Sequence, residues 1–122
     1  IPYTAYERQD ITLYDESLTG DARRQAMREA MIRRDRIVSY FRELTQLSPQ
    51  EATSRLRQAV KDPHFPAIHR AFWAHDGSFL EFDNAWFELR ASGTDAVLRY
   101  YFEGSNKDTV HRLNSLLVAI QP

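Results

Sequence analysis

From Arg90 to Arg99 the sequence reads Arg-Ala-Ser-Gly-Thr-Asp-Ala-Val-Leu-Arg, a stretch that holds three kinds of anion-binding group. A phosphate dianion is bound by cationic forks, hydroxyl donors and backbone amides that converge on it. Arg90 and Arg99 supply the guanidinium groups, and Ser92 and Thr94 the hydroxyls. Gly93 has no β-carbon and can take positive φ, which would turn the amides of residues 93 and 94 toward a common point. On composition alone, a Ser-Gly-Thr turn flanked by solvated arginines is the commoner use of such a stretch.

Other residue sets are poorer in chemistry. The histidines are His64, His69, His75 and His111, and the spacings of five and six among the first three match no tight metal-ligand motif. His69 falls in a predicted strand and is expected to be partly buried, whereas His75 sits beside a turn and is expected to be solvated. Ser92, His75 and Asp76 could be drawn as a triad, but no Gly-x-Ser-x-Gly elbow exposes the serine. Asp15-Glu16 lacks the third spaced carboxylate and the glycine turn of a magnesium loop. The absence of cysteine excludes disulfides, thiolate metal sites and cysteine nucleophiles, and it fits a reducing compartment, with the cytoplasm the expected location.

The stretch 21–44 offers a different function. Its seven arginines against four acids could form a surface for nucleic acid or an acidic partner. The acids Asp21, Glu29, Asp35 and Glu43 are interleaved with them, which favours a solvated helix face with local ion pairs. Tyr40 and Phe41 are adjacent rather than alternating with arginines, so they read as packing residues and not as a base-stacking platform.

The elements that must position these groups change character near residue 65. Residues 21–44 lack Pro and Gly and place Met27, Met31, Val38 and Phe41 near one helical face. Arg34 interrupts that stripe, so this helix is expected to pack loosely. Ser48-Pro49-Gln50-Glu51 is a capping box that opens a second helix running to about Val60, with Ala52, Leu56 and Val60 inward. Strands are predicted at about 67–74, 78–82, 85–90 and 96–103, with turns at Asp76-Gly77 and Asp83-Asn84. In the last strand Ala96, Leu98, Tyr100 and Phe102 share one face, which leaves Arg99 on the other. Ser105 is the predicted cap of a closing helix that turns Val110, Leu113, Leu117 and Ile120 to the sheet. The expected fold is α+β: a small, mainly antiparallel four-stranded sheet with helices packed on one face, preceded by a long N-terminal linker helix. Residues 1–46 form the expected inter-domain linker and 47–122 the domain.

A length of 122 residues allows one compact core, and 43% hydrophobic residues are enough to build it. The net charge of −1 argues against affinity of the whole chain for a polyanion. No stretch approaches the roughly 18 uninterrupted apolar residues of a membrane span. The chain begins at Ile1 with no signal pattern, and is expected to be a piece of a longer protein.

The order Arg-x-Ser-Gly-Thr-acid, with a second arginine nine positions after the first, closely resembles the C-terminal signature of the α-D-phosphohexomutases. Phosphoglucomutase, phosphomannomutase and phosphoglucosamine mutase belong to that family. Arg99-Tyr100-Tyr101-Phe102-Glu103 resembles the family's arginine-led strand ending in Glu, and 76–87 resembles the preceding hairpin. The resemblance is specific over 65–122 and loose over 6–44. It implies the last domain of a four-domain phosphosugar mutase, the domain that binds the substrate's non-transferred phosphate. In that family a phosphoserine gives its phosphoryl group to the sugar, and the bisphosphate reorients and returns the other.

Carried over residue by residue, the phosphate ligands are Arg90, Ser92, Gly93, Thr94 and Arg99. The family's phosphoserine loop, Asp-rich magnesium loop and sugar-reading loop belong to the first three domains, so no catalytic or metal residue is assigned here. Magnesium is expected in the parent enzyme. The implied partners are a hexose phosphate or bisphosphate, of glucose or mannose type, and the other domains of the parent chain, with no membrane. Many members have Glu-Pro where this chain has Asp95-Ala96, so a less rigid exit from the loop is expected.

Overall fold

A computed structural model describes residues 3–122. The chain forms β1 (Ala5–Thr12), α1 (Gly20–Leu44), α2 (Pro49–Val60), β2 (Arg70–Ala74), β3 (Gly77–Glu81), β4 (Ala85–Ala91), β5 (Val97–Gly104) and α3 (Lys107–Val118). The α+β class holds, but the sheet has five strands rather than four, all antiparallel, in the order β1-β5-β4-β3-β2. The added strand is β1, which pairs with β5 from Ala5 opposite Gly104 to Thr12 opposite Val97. Its sequence is largely polar, with only Ala5 and Ile11 turned to the core, and it is a strand because β5 offers a free edge and α3 covers one side of it. Asn114 of α3 is buried, donates to Glu7 Oε1 at 2.6 Å and accepts from Gln9 Nε2 at 2.6 Å. These bonds pin the register of β1.

Leading into α1, Gly20 takes φ 59° after the extended Thr19, a reversal that suits glycine. Expected as a loosely packed linker, α1 instead sends Ile37, Phe41 and Leu44 into the same core as the sheet, at spacings of four and three. The Phe41 ring lies 5.1 Å from that of Phe87, and Phe87 lies 5.2 Å from Phe102. Of the stripe read from sequence, Phe41 is fully buried, and Met27, Met31 and Val38 are half-buried. Ser48 caps α2 by accepting from the Glu51 amide at 3.2 Å, with Pro49 in the first turn as expected. The cap of α3 is Asn106, not Ser105: its Oδ1 accepts from the Thr109 amide at 2.8 Å.

Strands β2 to β5 form a meander. The turn between β2 and β3 is His75-Asp76, with φ 52° and 61°, and Gly77 is the first residue of β3 opposite Ala74. Two successive positive φ values match the twist of a tight hairpin. His69 lies just before β2 and is exposed, not partly buried as expected. Strand alternation then sorts the side chains. Leu80, Phe87, Leu89, Leu98, Tyr100 and Phe102 meet the helices, while Phe79, Glu88, Arg90, Arg99 and Tyr101 lie on the opposite, helix-free face.

Candidate functional site

Arg90 near the end of β4 and Arg99 in β5 are direct cross-strand partners, so both guanidinium groups stand on the helix-free face beside the loop that joins these strands. The loop is closed at its base by the Ser92 amide, which donates to the Val97 carbonyl at 3.0 Å. Within it, the Ser92 hydroxyl oxygen accepts from the Thr94 amide at 3.4 Å, and its own O–H remains free to donate. Gly93 and Thr94 are exposed. The structure therefore brings together all five residues read from the sequence.

Gly93 differs from expectation in one respect. Among the described glycines positive φ is confined to Gly20, so Gly93 does not use the left-handed conformation. A β-carbon at Gly93 would meet no atom within 4 Å. The bare backbone there faces open space, and nothing in the fold demands a glycine at that point.

Neighbours that the sequence reading did not assign shape the electrostatics. Glu88 Oε2 accepts from Arg90 Nε at 3.0 Å, and its side chain is 11% exposed against 40% for Arg90. That bond fixes the guanidinium at its inner edge and leaves its two terminal nitrogens available. Gly77 makes room for the pair, since a β-carbon at 77 would come within 2.8 Å of Glu88 Oε2. Arg99, by contrast, makes no ion pair among the described residues. Its partner on β1 is Asp10, which is committed to Arg8 through bonds of 3.0 and 2.9 Å. The Arg8 bond, with a smaller contribution from Arg99, holds the Asp10 carboxyl below its ordinary range.

The rear of the loop is held by α1 and the segment before it. Arg34 Nη1 donates to the carbonyls of Ser92 at 2.9 Å and Asp95 at 3.1 Å. The Leu13 amide donates to the Ala96 carbonyl at 2.9 Å, and the Tyr14 hydroxyl to Asp95 Oδ2 at 3.4 Å. Burial, reinforced by that bond, raises the Tyr14 pKa. Asp95 Oδ1 accepts from the Ala96 amide at 2.8 Å. These contacts tie down the exit that lacks a proline. No local sequence signal pointed to Arg34 or Tyr14, because both reach the loop from more than 55 residues away.

Asp15 Oδ1 accepts from both the amide and the hydroxyl of Ser17, at 3.0 and 2.7 Å, and no group of three His, Asp or Glu side chains gathers as metal ligands among the described residues. The arginines of 21–44 are largely engaged with the chain itself: Arg23 with the Glu16 carbonyl, Arg24 with Asp21, Arg33 with Gln121, Arg34 with the loop and Arg42 over the Trp73 ring. Nothing in these contacts supports a nucleic-acid- or acidic-partner-binding role for the stretch. A groove of about 430 Å³ along α2, with Thr53, Arg57 and Asp62 in its wall, contains no loop residue. No helix is long and apolar enough to cross a membrane among the described residues.

The family model described as phosphoglucomutase/phosphomannomutase, C-terminal domain, matches residues 46–119, which include the whole 90–99 stretch. The chain belongs to this family. Comparison with curated proteins found no match. The matched region begins after α1, so β1, Tyr14 and Arg34 lie outside the part that the family model describes, while β1 shares the sheet and Arg34 reaches the 90–99 loop.

Proposed function

We propose that the chain is the substrate-phosphate-binding C-terminal domain of a phosphosugar mutase, with Arg90, Ser92, Gly93, Thr94 and Arg99 as the ligands of the non-transferred phosphate. The observation that carries this reading is the pairing of Arg90 with Arg99 across the two strands that flank an exposed Ser-Gly-Thr loop. Two cationic forks side by side, with only one of them neutralised by a bonded carboxylate, suit a dianion better than they suit a bare protein surface. The phosphate is that of a glucose- or mannose-type hexose phosphate or bisphosphate. Other domains of the parent protein supply the phosphoserine, the magnesium and the reading of the sugar. The parent acts in the cytoplasm.

Because the loop is open to water, each contact is worth about 1 kcal/mol or less after screening. Binding of a phosphate monoester at about millimolar strength follows, equivalent to about 4 kcal/mol. An NMR titration of the chain with glucose 6-phosphate should shift the amides of Ser92, Gly93 and Thr94 first, and glucose should not. Equal shifts from both ligands, or unchanged binding in an Arg90→Ala, Arg99→Ala double variant, would remove the assignment. On the same reading the 122-residue chain alone gives no mutase turnover in a coupled assay with magnesium and bisphosphate activator.

A further inference from the structure

We infer that Arg34 is a positioning residue for the phosphate loop: from α1 it holds two loop carbonyls on the inner side, so that the Gly93 amide is presented outward to the anion. The inference rests on the reading of 90–99 as the phosphate site and adds a residue outside both the loop and the region the family model matches.

Three observations lead to it. A single nitrogen, Nη1, bridges the carbonyls of Ser92 and Asp95, one near each end of the loop, at 2.9 and 3.1 Å. The remaining donors, Nε and Nη2, are held by Asp35 Oδ1 at 3.0 and 2.8 Å, so the guanidinium plane is fixed from its other edge. The Arg34 side chain is 14% exposed, and about one and two turns further along α1 Ile37 and Phe41 are locked in the core. The base of the arginine therefore cannot drift relative to the sheet.

The consequence follows from the planarity of the peptide unit. In a trans peptide the carbonyl of one residue and the amide of the next point in opposite directions. With the Ser92 carbonyl turned to Arg34, the Gly93 amide points away from α1, and Gly93 itself is exposed. That amide has no acceptor among the described residues. Withdrawing two carbonyl oxygens also removes negative ends of dipoles from the anion's approach. A loop left free to reorient would bind only in the fraction of time that it presents this arrangement.

The test compares the unaltered chain with Arg34→Gln and Arg34→Lys, using glucose 6-phosphate as the probe. Amide shifts give affinity, nitrogen-15 relaxation at residues 92–96 gives loop order, and thermal unfolding shows that each variant is folded. Arg34→Gln should weaken binding about tenfold, as expected for the loss of two charge-assisted bonds, and should add fast motion at Gly93 and Thr94. Arg34→Lys keeps the charge without the fork and should recover only part of both effects. If Arg34→Gln does not fold, Asp35→Ala, which removes the exposed anchor of the guanidinium, should show the same loosening to a smaller degree. Unchanged affinity and unchanged loop relaxation in a folded Arg34→Gln, or in Asp35→Ala if that is the variant available, overturns the inference. Failure of the unaltered chain to bind glucose 6-phosphate overturns the phosphate reading itself, and the relaxation comparison still decides whether Arg34 holds the loop.

Discussion

Arg90 and Arg99 are opposed across β4 and β5, yet their surroundings differ: Arg90 is bonded to a nearly buried Glu88, and Arg99 has no ion pair among the described residues. Like charges directly opposite in a sheet destabilise it by a few tenths of a kcal/mol to about 1 kcal/mol. The two positions should therefore respond differently to loss of charge. Arg99→Leu relieves repulsion and is expected to leave stability unchanged or raise it by about 0.5 kcal/mol. Arg90→Leu strands the Glu88 carboxylate and should cost about 1–3 kcal/mol. Each should weaken glucose 6-phosphate binding by up to about fivefold, as loss of one contact of about 1 kcal/mol implies. Denaturant unfolding of the two variants checks the difference, and equal destabilisation would contradict the asymmetry.

Gly77 and Gly104 are both crowded, but against different neighbours. A β-carbon at Gly77 would meet the side-chain carboxylate of Glu88 at 2.8 Å and the Leu89 carbonyl at 3.3 Å, whereas one at Gly104 would meet Val110 Cγ2 at 2.9 Å, Ala85 Cβ at 3.0 Å and the Asn84 carbonyl at 3.1 Å. Gly104→Ala must move packed side chains and backbone and should cost about 1–3 kcal/mol. Gly77→Ala should displace the carboxylate instead, costing less stability but loosening Arg90 and weakening phosphate binding. The pair is read by thermal unfolding together with the glucose 6-phosphate titration.

Asn114 is the buried polar residue that joins α3 to β1. Asn114→Ala leaves Glu7 and Gln9 without their partner and should cost about 1–3 kcal/mol. Hydrogen exchange should quicken across 5–12 while β3 and β4 keep their protection, because β1 is an edge strand with one neighbour. Uniform quickening across the sheet would show that Asn114 supports the whole core and not the edge alone.

Burial pushes the Tyr100 hydroxyl up to about 12. In the unfolded chain a tyrosine ionises near 10, so above about pH 10 the unfolded state releases this proton first and stability falls as pH rises toward 12. Tyr100→Phe removes that coupling and should flatten the decline in stability between about pH 10 and 12. Unfolding measured across that range in both proteins tests it.

Short-range signals were legible in the sequence. The α2 cap at Ser48, the Asp83-Asn84 hairpin, the inward set Leu98, Tyr100 and Phe102, and the close grouping of Arg90, Ser92, Gly93, Thr94 and Arg99 all depend on residues near one another in the chain. Alternation along a strand sufficed to place Arg99 away from the helices. Strand β1 was not legible, because an edge strand needs no apolar face of its own when β5 pairs its backbone and Asn114 satisfies its side chains. The turn read at Asp76-Gly77 lies one residue earlier, at His75-Asp76, and the closeness of Gly77 to the Glu88 carboxylate on the neighbouring strand had no signal in the sequence. Arg34 looked like a flaw in an apolar stripe for the same reason. Its partners are the carbonyls of Ser92 and Asp95, far along the chain, and a hydrogen bond over that separation exists only once α1 has packed on the sheet and brought them within reach. The sequence by itself determined which groups could meet a phosphate; the tertiary structure decided what holds them in place, because that depends on contacts between segments whose order along the chain does not reveal their distance in space.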